Sequence, residues 1–349
     1  MAVDPWLPRC HRREPQEGHG SLMPSAVAGG GSIAVCTALD AGYLPLVLVV
    51  AHSMAASAAP DSHVVFHVLY DGPDSWVVRR IERWRHPQVD IVLHRLPNPF
   101  APIGTINGFP PSTLFRFVVP RLLAELDRVI YLDVDLIVEA DLKALFHAPL
   151  DGKPIGAAVD VRMVDEALTS HPHRQATRDG THGYLRDVLG FASAAEMLGC
   201  IQAGVTVLDL NQLRELGYEQ RMADTMLRLR DLLRFADQCA INTAFRGQIA
   251  LLDPRWNVLP EALVDDMWDD LAPELTGVVA LQRSEPRIIH FAYRKPWRRW
   301  GLPGSDRWWL HARRAGLGPY FAWQFLAARA TIELSTLRNK LKRSRKAYG

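Results

Sequence analysis

Between residues 32 and 300, short apolar runs alternate with polar stretches long enough to be helices. Residues 33–38, 64–70 and 89–96 are compact, β-branched runs bounded by Asp, Gly and Pro, and each reads as a strand. A longer apolar stretch, 44–59, follows the first of them. Pro45, His52 and serines interrupt it and it is too short to span a bilayer, so a buried helix is expected. Residues 75–85 read as a polar helix leading to the third strand. Strands and helices alternate at βαβ spacing, which predicts an α/β fold with a mostly parallel sheet and ligands beyond the carboxyl ends of the strands.

Downstream, residues 97–111 form a Pro- and Gly-rich loop, and Ser112 is expected to cap a helix through Phe115, Arg116 and Leu122. That helix would deliver the chain to residues 128–138, an apolar run read as one buried strand. Further strands are expected at 153–161 and 205–210, a mobile loop at 171–183, and a polar helix from 210 to about 235.

The run 128–138 carries Asp133 and Asp135 one residue apart. In a strand, residues i and i+2 face one side, so both carboxylates would serve one site. Two converging carboxylates in apolar surroundings are costly unless a cation lies between them. A divalent ion held by only two or three protein groups keeps coordination positions open, and phosphate oxygens commonly fill them. The pair therefore points to an enzyme handling a diphosphate-linked substrate. A solvated Asp-x-Asp turn is the competing reading.

Composition narrows the class. The chain has 349 residues, 48% hydrophobic and 22% charged, enough for a sizeable core, and its net charge of +2 gives no global reason to expect nucleic acid. Cys10, Cys36, Cys200 and Cys239 are widely spaced, which fits buried thiols in a reducing, cytoplasmic setting better than a disulfide framework. Residues 1–31 lack an uninterrupted apolar segment and read as a flexible arm without a secretory signal. His171 and His173, set among Pro and Arg, read as solvated.

Beyond Pro296, Trp297, Trp300, Trp308, Trp309 and Trp323 are interleaved with arginines, and residues 338–346 are dominated by Lys and Arg. Two readings stand: an interfacial segment on an anionic membrane, peripheral at the inner face of the plasma membrane, or a solvated helical tail. No nucleic-acid-binding motif supports a third.

Further segments, taken with the aspartate pair, are more specific. Asp40-Ala-Gly-Tyr43, Phe115-Arg116, the run 202–210 beginning Gln-Ala-Gly, Asp237-Gln238 through Asn242, Arg255-Trp-Asn257, and Ile288-Ile-His290 with Lys295-Pro-Trp297 follow in order. The set resembles glycosyltransferase family 8, which includes glycogenin, galactinol synthase and bacterial lipopolysaccharide galactosyl- and glucosyltransferases. The resemblance implies a GT-A domain over 32–300 with a mixed, mostly parallel sheet; residues 301–349 lie beyond it and read from their composition as a basic, Trp- and Arg-rich, helical C-terminal extension. It further implies a retaining hexosyltransferase that uses Mn²⁺ (or Mg²⁺) and a UDP-sugar donor.

By that resemblance Asp133, Asp135 and His290 would hold the metal. Ala38, Asp40, Tyr43, Arg116, Val134 and Lys295 would bind the nucleotide sugar, with Asp40 and Tyr43 near the base and Lys295 on the diphosphate. Asp160, Gln202, Ala203 and Gly204 would form the sugar and acceptor pocket, and Gln238 and Asp237 would lie nearest the anomeric carbon. Simpler roles compete: an Asx turn for Asp40, a core tyrosine for Tyr43 and a helix cap for Asp160.

The family usually has Asn where this chain has Gln202, and a glycine between its histidine and lysine where this chain has none, which leaves the donor hexose and the acceptor open. Two other functions stay in view: a nucleotidyltransferase with an Asp-x-Asp metal site, and a non-catalytic nucleotide-sugar- or membrane-binding protein on a decayed transferase fold.

Overall fold

The computed structural model describes residues 31–169, 180–264 and 271–330. The expectations for the arm, for His171 and His173 and for the basic run 338–346 lie outside the described residues.

Three strands form where the apolar runs predict them: β1 (Ile33–Leu39), β2 (Val64–Tyr70) and β3 (Val89–Arg95). The helix Leu46–Ser57 follows β1 and is buried along most of its length, between the β-sheet and the helix Ser305–Arg314. A largely apolar helix sandwiched in this way needs no lipid. The helix Trp76–Glu82 follows β2, and the Ser75 side chain accepts the Val78 N–H at its start, a cap worth about 1 kcal/mol.

The expected strand 128–138 is broken in two. β4 (Arg128–Leu132) ends before Asp133, and β5 (Leu136–Val138) begins after Asp135. Asp133, Val134 and Asp135 therefore lie at the point where the chain leaves the main sheet. The Asp133 N–H donates to the Gly204 carbonyl at 2.7 Å, the last rung of pairing with the neighbouring strand. The remaining strands are β6 (Ile155–Val159), β7 (Ile201–Asp209), β8 (Ile249–Leu251) and β9 (Ile288–His290). Among the described residues the main sheet runs β3-β2-β1-β4-β7-β6-β8, and β5 pairs with β9 in a second sheet. β3, β2, β1 and β4 are parallel, β7 is antiparallel to both β4 and β6, and β8 is parallel to β6. The sheet is mixed and mostly parallel, as expected.

Successive residues of the central strands serve opposite cores. Val35, Ile130 and Leu132 belong to one apolar layer, and Cys36, Val129 and Tyr131 to the other. Burial on both faces is why these strands read as continuous apolar runs instead of alternating ones.

Three other expectations are corrected. Residues 112–122 do not form one helix capped by Ser112. A 3-10 helix, Pro111–Val118, precedes a single turn, Val119–Leu122: Pro111 opens the first before Ser112, and Pro120 has no amide with which to continue an α-helical ladder onto the Arg116 carbonyl. β7 begins at Ile201, four residues before the expected start, so the Gln202-Ala203-Gly204 segment is part of the sheet. The expected loop 171–183 also ends early, since Thr181–Asp187 is helical.

The tryptophans near the C-terminus divide. Trp297 and Trp308 are buried with ring centroids 5.1 Å apart and join the core layer that holds Val35, together with Ala312 and Phe321. Trp300 and Trp323 are 65% and 67% exposed. No helix among the described residues is long and apolar enough to cross a membrane.

Candidate active site

The cleft lies where β1, β4, β7 and β9 end or bend, as the rule for open α/β sheets predicts. Ala38, Asp40, Tyr43, Arg116, Asp133, Val134, Asp135, Gln202, Ala203, Gly204, Asp237, Gln238, His290 and Lys295 all line it. Asp160 does not. It lies behind Gln238, 1% exposed.

Asp133, Asp135 and His290 converge. One ligand atom from each falls within 4.8 Å of the others. His290 Nε2 is 3.1 Å from Asp135 Oδ1 and 3.8 Å from Asp133 Oδ2. β9 brings the histidine there by pairing antiparallel with β5, which sets Leu136 opposite His290. Gly204 makes room: a Cβ at this position would collide with His290 Cε1 and lie 2.8 Å from Asp133 Oδ2. Two carboxylates and an imidazole nitrogen are a donor set that can hold a divalent metal ion.

Lys295 closes one side. Its Nζ contacts Asp135 Oδ2 and donates to the Phe291 and Ala292 carbonyls at 2.9 and 2.8 Å. Burial works against the Asp135 charge, but Lys295 and His290 more than offset it and hold this carboxyl well below the usual range.

Arg116 is held on the other side by the 3-10 helix. Its guanidinium donates to Asp133 Oδ1 at 2.6 Å and to the Ala203 carbonyl at 2.8 Å, and it lies over the Tyr131 ring at 3.9 Å. Its Nε is 3.0 Å from Asp237 Oδ2, an ion-pair contact without hydrogen-bond alignment, so that nitrogen has no hydrogen-bond partner. Burial pushes the Asp237 carboxyl up to about 6, with Arg116 pulling against it and Asp133 adding to it.

Asp237 and Gln238 open the helix Ala236–Ala244, and Asn242 of that helix grips both backbone groups of Ile201 in β7. Both ends of the Gln238 amide are held: Nε2 donates to Asp160 Oδ2 at 2.8 Å and Oε1 accepts the Ala203 N–H at 3.3 Å. Asp160 also accepts the Met163 N–H as the cap of the helix Val161–Leu168. The helix-cap reading of Asp160 is thus present in the fold. Asp40 likewise makes an Asx turn, its Oδ1 accepting the Gly42 and Tyr43 amides while Oδ2 accepts Ser112 Oγ–H at 3.3 Å. Tyr43 meets Trp297 edge-on.

The family model for Glycosyl transferase family 8 matches residues 34–301. The chain belongs to glycosyl transferase family 8. Two curated relatives are the probable galacturonosyltransferase-like 9 of Arabidopsis thaliana, 26% identical over 64% of this chain and 58% of its own length, and the lipopolysaccharide 1,2-glucosyltransferase of Escherichia coli (strain K12), 21% identical over 71% and 67%. Among solved structures, the WbbM bifunctional glycosyltransferase superposes with TM-score 0.69 at 22% identity, covering 88% of this chain and 53% of that one. The galactosyltransferase LgtC, solved with donor and acceptor sugar analogues, superposes with TM-score 0.65 at 21% identity, covering 81% and 96%. The chain thus spans less than two thirds of the first curated relative and about half of WbbM. Its fold is that of the GT-A glycosyltransferases.

Reading the family motifs leaves several lining residues out. Phe109, Phe235 and Tyr293 form an aromatic wall, with Phe109–Phe235 and Phe235–Tyr293 centroids 6.4 and 6.1 Å apart. Nothing local in the sequence marks them, since isolated aromatics in loops look alike whether they face a cleft or a core. Asn257 sits in a motif noted above, but its partners are visible only in three dimensions.

Proposed function

We propose that the chain is a metal-dependent, retaining hexosyltransferase that moves galactose or glucose from a UDP-sugar to a glycan, lipid-linked or small-molecule acceptor. The convergence of Asp133, Asp135 and His290 at the floor of a cleft that also holds Arg116, Lys295 and Gln238 carries this reading. The names of two similar proteins, a lipopolysaccharide glucosyltransferase and the galactosyltransferase LgtC, support it.

Asp133, Asp135 and His290 would hold Mn²⁺ or Mg²⁺, which supplies a Lewis acid for the negative charge that grows on the leaving diphosphate. Lys295 and Arg116 add fixed positive charge beside the same oxygens. Ala38, Asp40, Tyr43 and Val134 face the nucleoside, and Gln202, Ala203 and Gly204 face the sugar. Gln238 is a poor nucleophile and its amide is engaged, while Asp237 is tied to Arg116, so a same-face displacement is favoured over a covalent glycosyl-enzyme. Gln238 stabilises the oxocarbenium-like state, Asp237 orients sugar hydroxyls, and Asp160 acts through Gln238.

Residues 32–300 would be the catalytic domain, with 1–31 an arm and 301–349 an extension that places the protein on the cytoplasmic face of an anionic membrane. Exposed Trp300 and Trp323 near Arg298, Arg299 and Arg329 support that placement.

The test is incubation with Mn²⁺ and a panel of UDP-, GDP- and ADP-sugars, measuring nucleotide release and thermal shift for the wild type and Asp135→Asn. Release of UDP from one UDP-hexose, lost with chelator and in the variant, is the expected result. Release of UMP and sugar phosphate would indicate phosphoryl or nucleotidyl chemistry, and metal-dependent UDP binding with no turnover on any sugar acceptor would indicate a binding protein. No response to any donor would overturn the proposal.

A further inference from the structure

We infer that Asn257 and Gln202 are positioning residues that fix the tautomer of His290, so that its Nε2 lone pair is the one presented between Asp133 and Asp135. The inference rests on the metal reading of those three side chains and extends it to residues that do not touch the ion.

The backbone N–H of Gly204 can only donate, and it lies 2.7 Å from Gln202 Oε1, so that atom is an acceptor and the orientation of the Gln202 amide follows. The same oxygen lies 2.6 Å from an Asn257 side-chain atom, which must therefore be the Nδ2 amide. The other Asn257 terminus is then Oδ1, which can only accept, and it stands 3.0 Å from His290 Nδ1. Nδ1 must carry the proton. Nε2, 3.1 Å from Asp135 Oδ1, is then the nitrogen turned toward the carboxylates, where a bound metal would replace any proton shared with Asp135. The orientations that ordinarily have to be assigned by choice are thus forced in sequence by one backbone amide.

The relay is rigid as well as oriented. Asn257 is 3% exposed and His290 1% exposed, and the Asn257 carbonyl is held by Gln282 Nε2 at 3.2 Å. The His290 N–H donates to the carbonyl of the neighbouring Val258 at 2.8 Å, so the same short segment positions both the ring and its main chain. This also explains a glutamine at position 202. Its side chain is long enough to fold back onto the amide two residues along its own strand while reaching Asn257, a span that places its oxygen in the relay.

The experiment compares Mn²⁺ affinity, by electron paramagnetic resonance titration, for the wild type, Asp135→Asn, Asn257→Leu and Asn257→Asp. The Leu variant removes the acceptor at nearly constant volume, and its affinity should fall about 10- to 100-fold, as for other outer partners of metal-bound histidines. The Asp variant keeps an acceptor for Nδ1–H but loses the bond to Gln202 Oε1, so its loss of affinity should be smaller than that of the Leu variant. Failure of the wild type to bind, or equal binding by Asp135→Asn, overturns the metal reading and the inference with it. Normal binding by Asn257→Leu, or equal losses in the Leu and Asp variants, overturns the relay alone. Should the Leu variant not fold, ¹⁵N-histidine spectra of the Mg²⁺-loaded wild type decide the matter: a proton on Nδ1 of His290 is expected, and a proton on Nε2 overturns the relay.

Discussion

His290 Nε2 lies 3.1 Å from Asp135 Oδ1 although 155 positions separate the two residues. The contact follows from register: Leu136 faces His290 across the β5–β9 pair, so the residue before the first strand and the last residue of the second meet at one end. A shift of one residue in that pairing would turn the imidazole to the opposite face.

Lys295 is the fixed cation on Asp135, and both side chains are largely buried. Replacing it by Met leaves Asp135 without that partner, and the metal-free protein should lose about 3 kcal/mol. Because Mn²⁺ then supplies the missing charge, the thermal shift on adding the metal should be larger for Lys295→Met than for wild type. Equal shifts in differential scanning fluorimetry would show that Asp135 does not depend on the lysine.

Gly204→Ala places a methyl against His290 Cε1 and 2.8 Å from Asp133 Oδ2. Overpacking of this kind costs about 1–3 kcal/mol, and the displaced ligands should weaken Mn²⁺ binding more than they weaken the fold. A variant with wild-type metal affinity would mean that the strand yields freely at this point, contrary to its pairing through the Gly204 carbonyl.

Asp237 sets a pH dependence. Its folded-state pKa, raised to about 6 by burial, exceeds the ordinary carboxylate value, so between about pH 4 and 6 the folded protein holds a proton that the unfolded chain releases. Stability from this group is fully present below about pH 4 and is lost as pH rises through about 6, a change of about 3 kcal/mol. Denaturant titrations across this range should show the fall in wild type and its absence in Asp237→Asn. Parallel profiles would assign the slope elsewhere.

Among the described residues of the C-terminal segment, Trp300 and Trp323 are strongly exposed aromatics. Changing both to Ala should reduce sedimentation with phosphatidylglycerol vesicles several-fold and leave UDP binding unchanged. Unaltered sedimentation would remove these rings from any membrane role. Trp297 and Trp308, in contrast, should destabilise the fold by about 3–5 kcal/mol when truncated, because both are buried.

Much of the sheet was legible from local pattern. Strands 64–70 and 33–38 were read within a residue of their observed ends because a strand buried on both faces leaves an uninterrupted β-branched run. Strand 128–138 was misread for the same reason. Leu136–Val138 are as apolar as Arg128–Leu132, and nothing local tells that they pair with a different partner. Pro120, inside the segment 112–122, is the local mark that this stretch does not run as one α-helix.

The sequence by itself determined the chemistry on offer: two acids one residue apart, a histidine after an apolar strand, an arginine and a lysine, and the order in which strands present them. These are properties of single residues and of nearest-neighbour burial, which short-range periodicity records. Tertiary structure alone decided that Asp160 stands behind Gln238, that Tyr293 and Phe235 wall the cleft, and that a Gly204 amide dictates which nitrogen of His290 is free. Those outcomes depend on strand register and on which donor meets which acceptor across dozens of intervening residues, and a hydrogen bond has a direction only once both of its partners are in place.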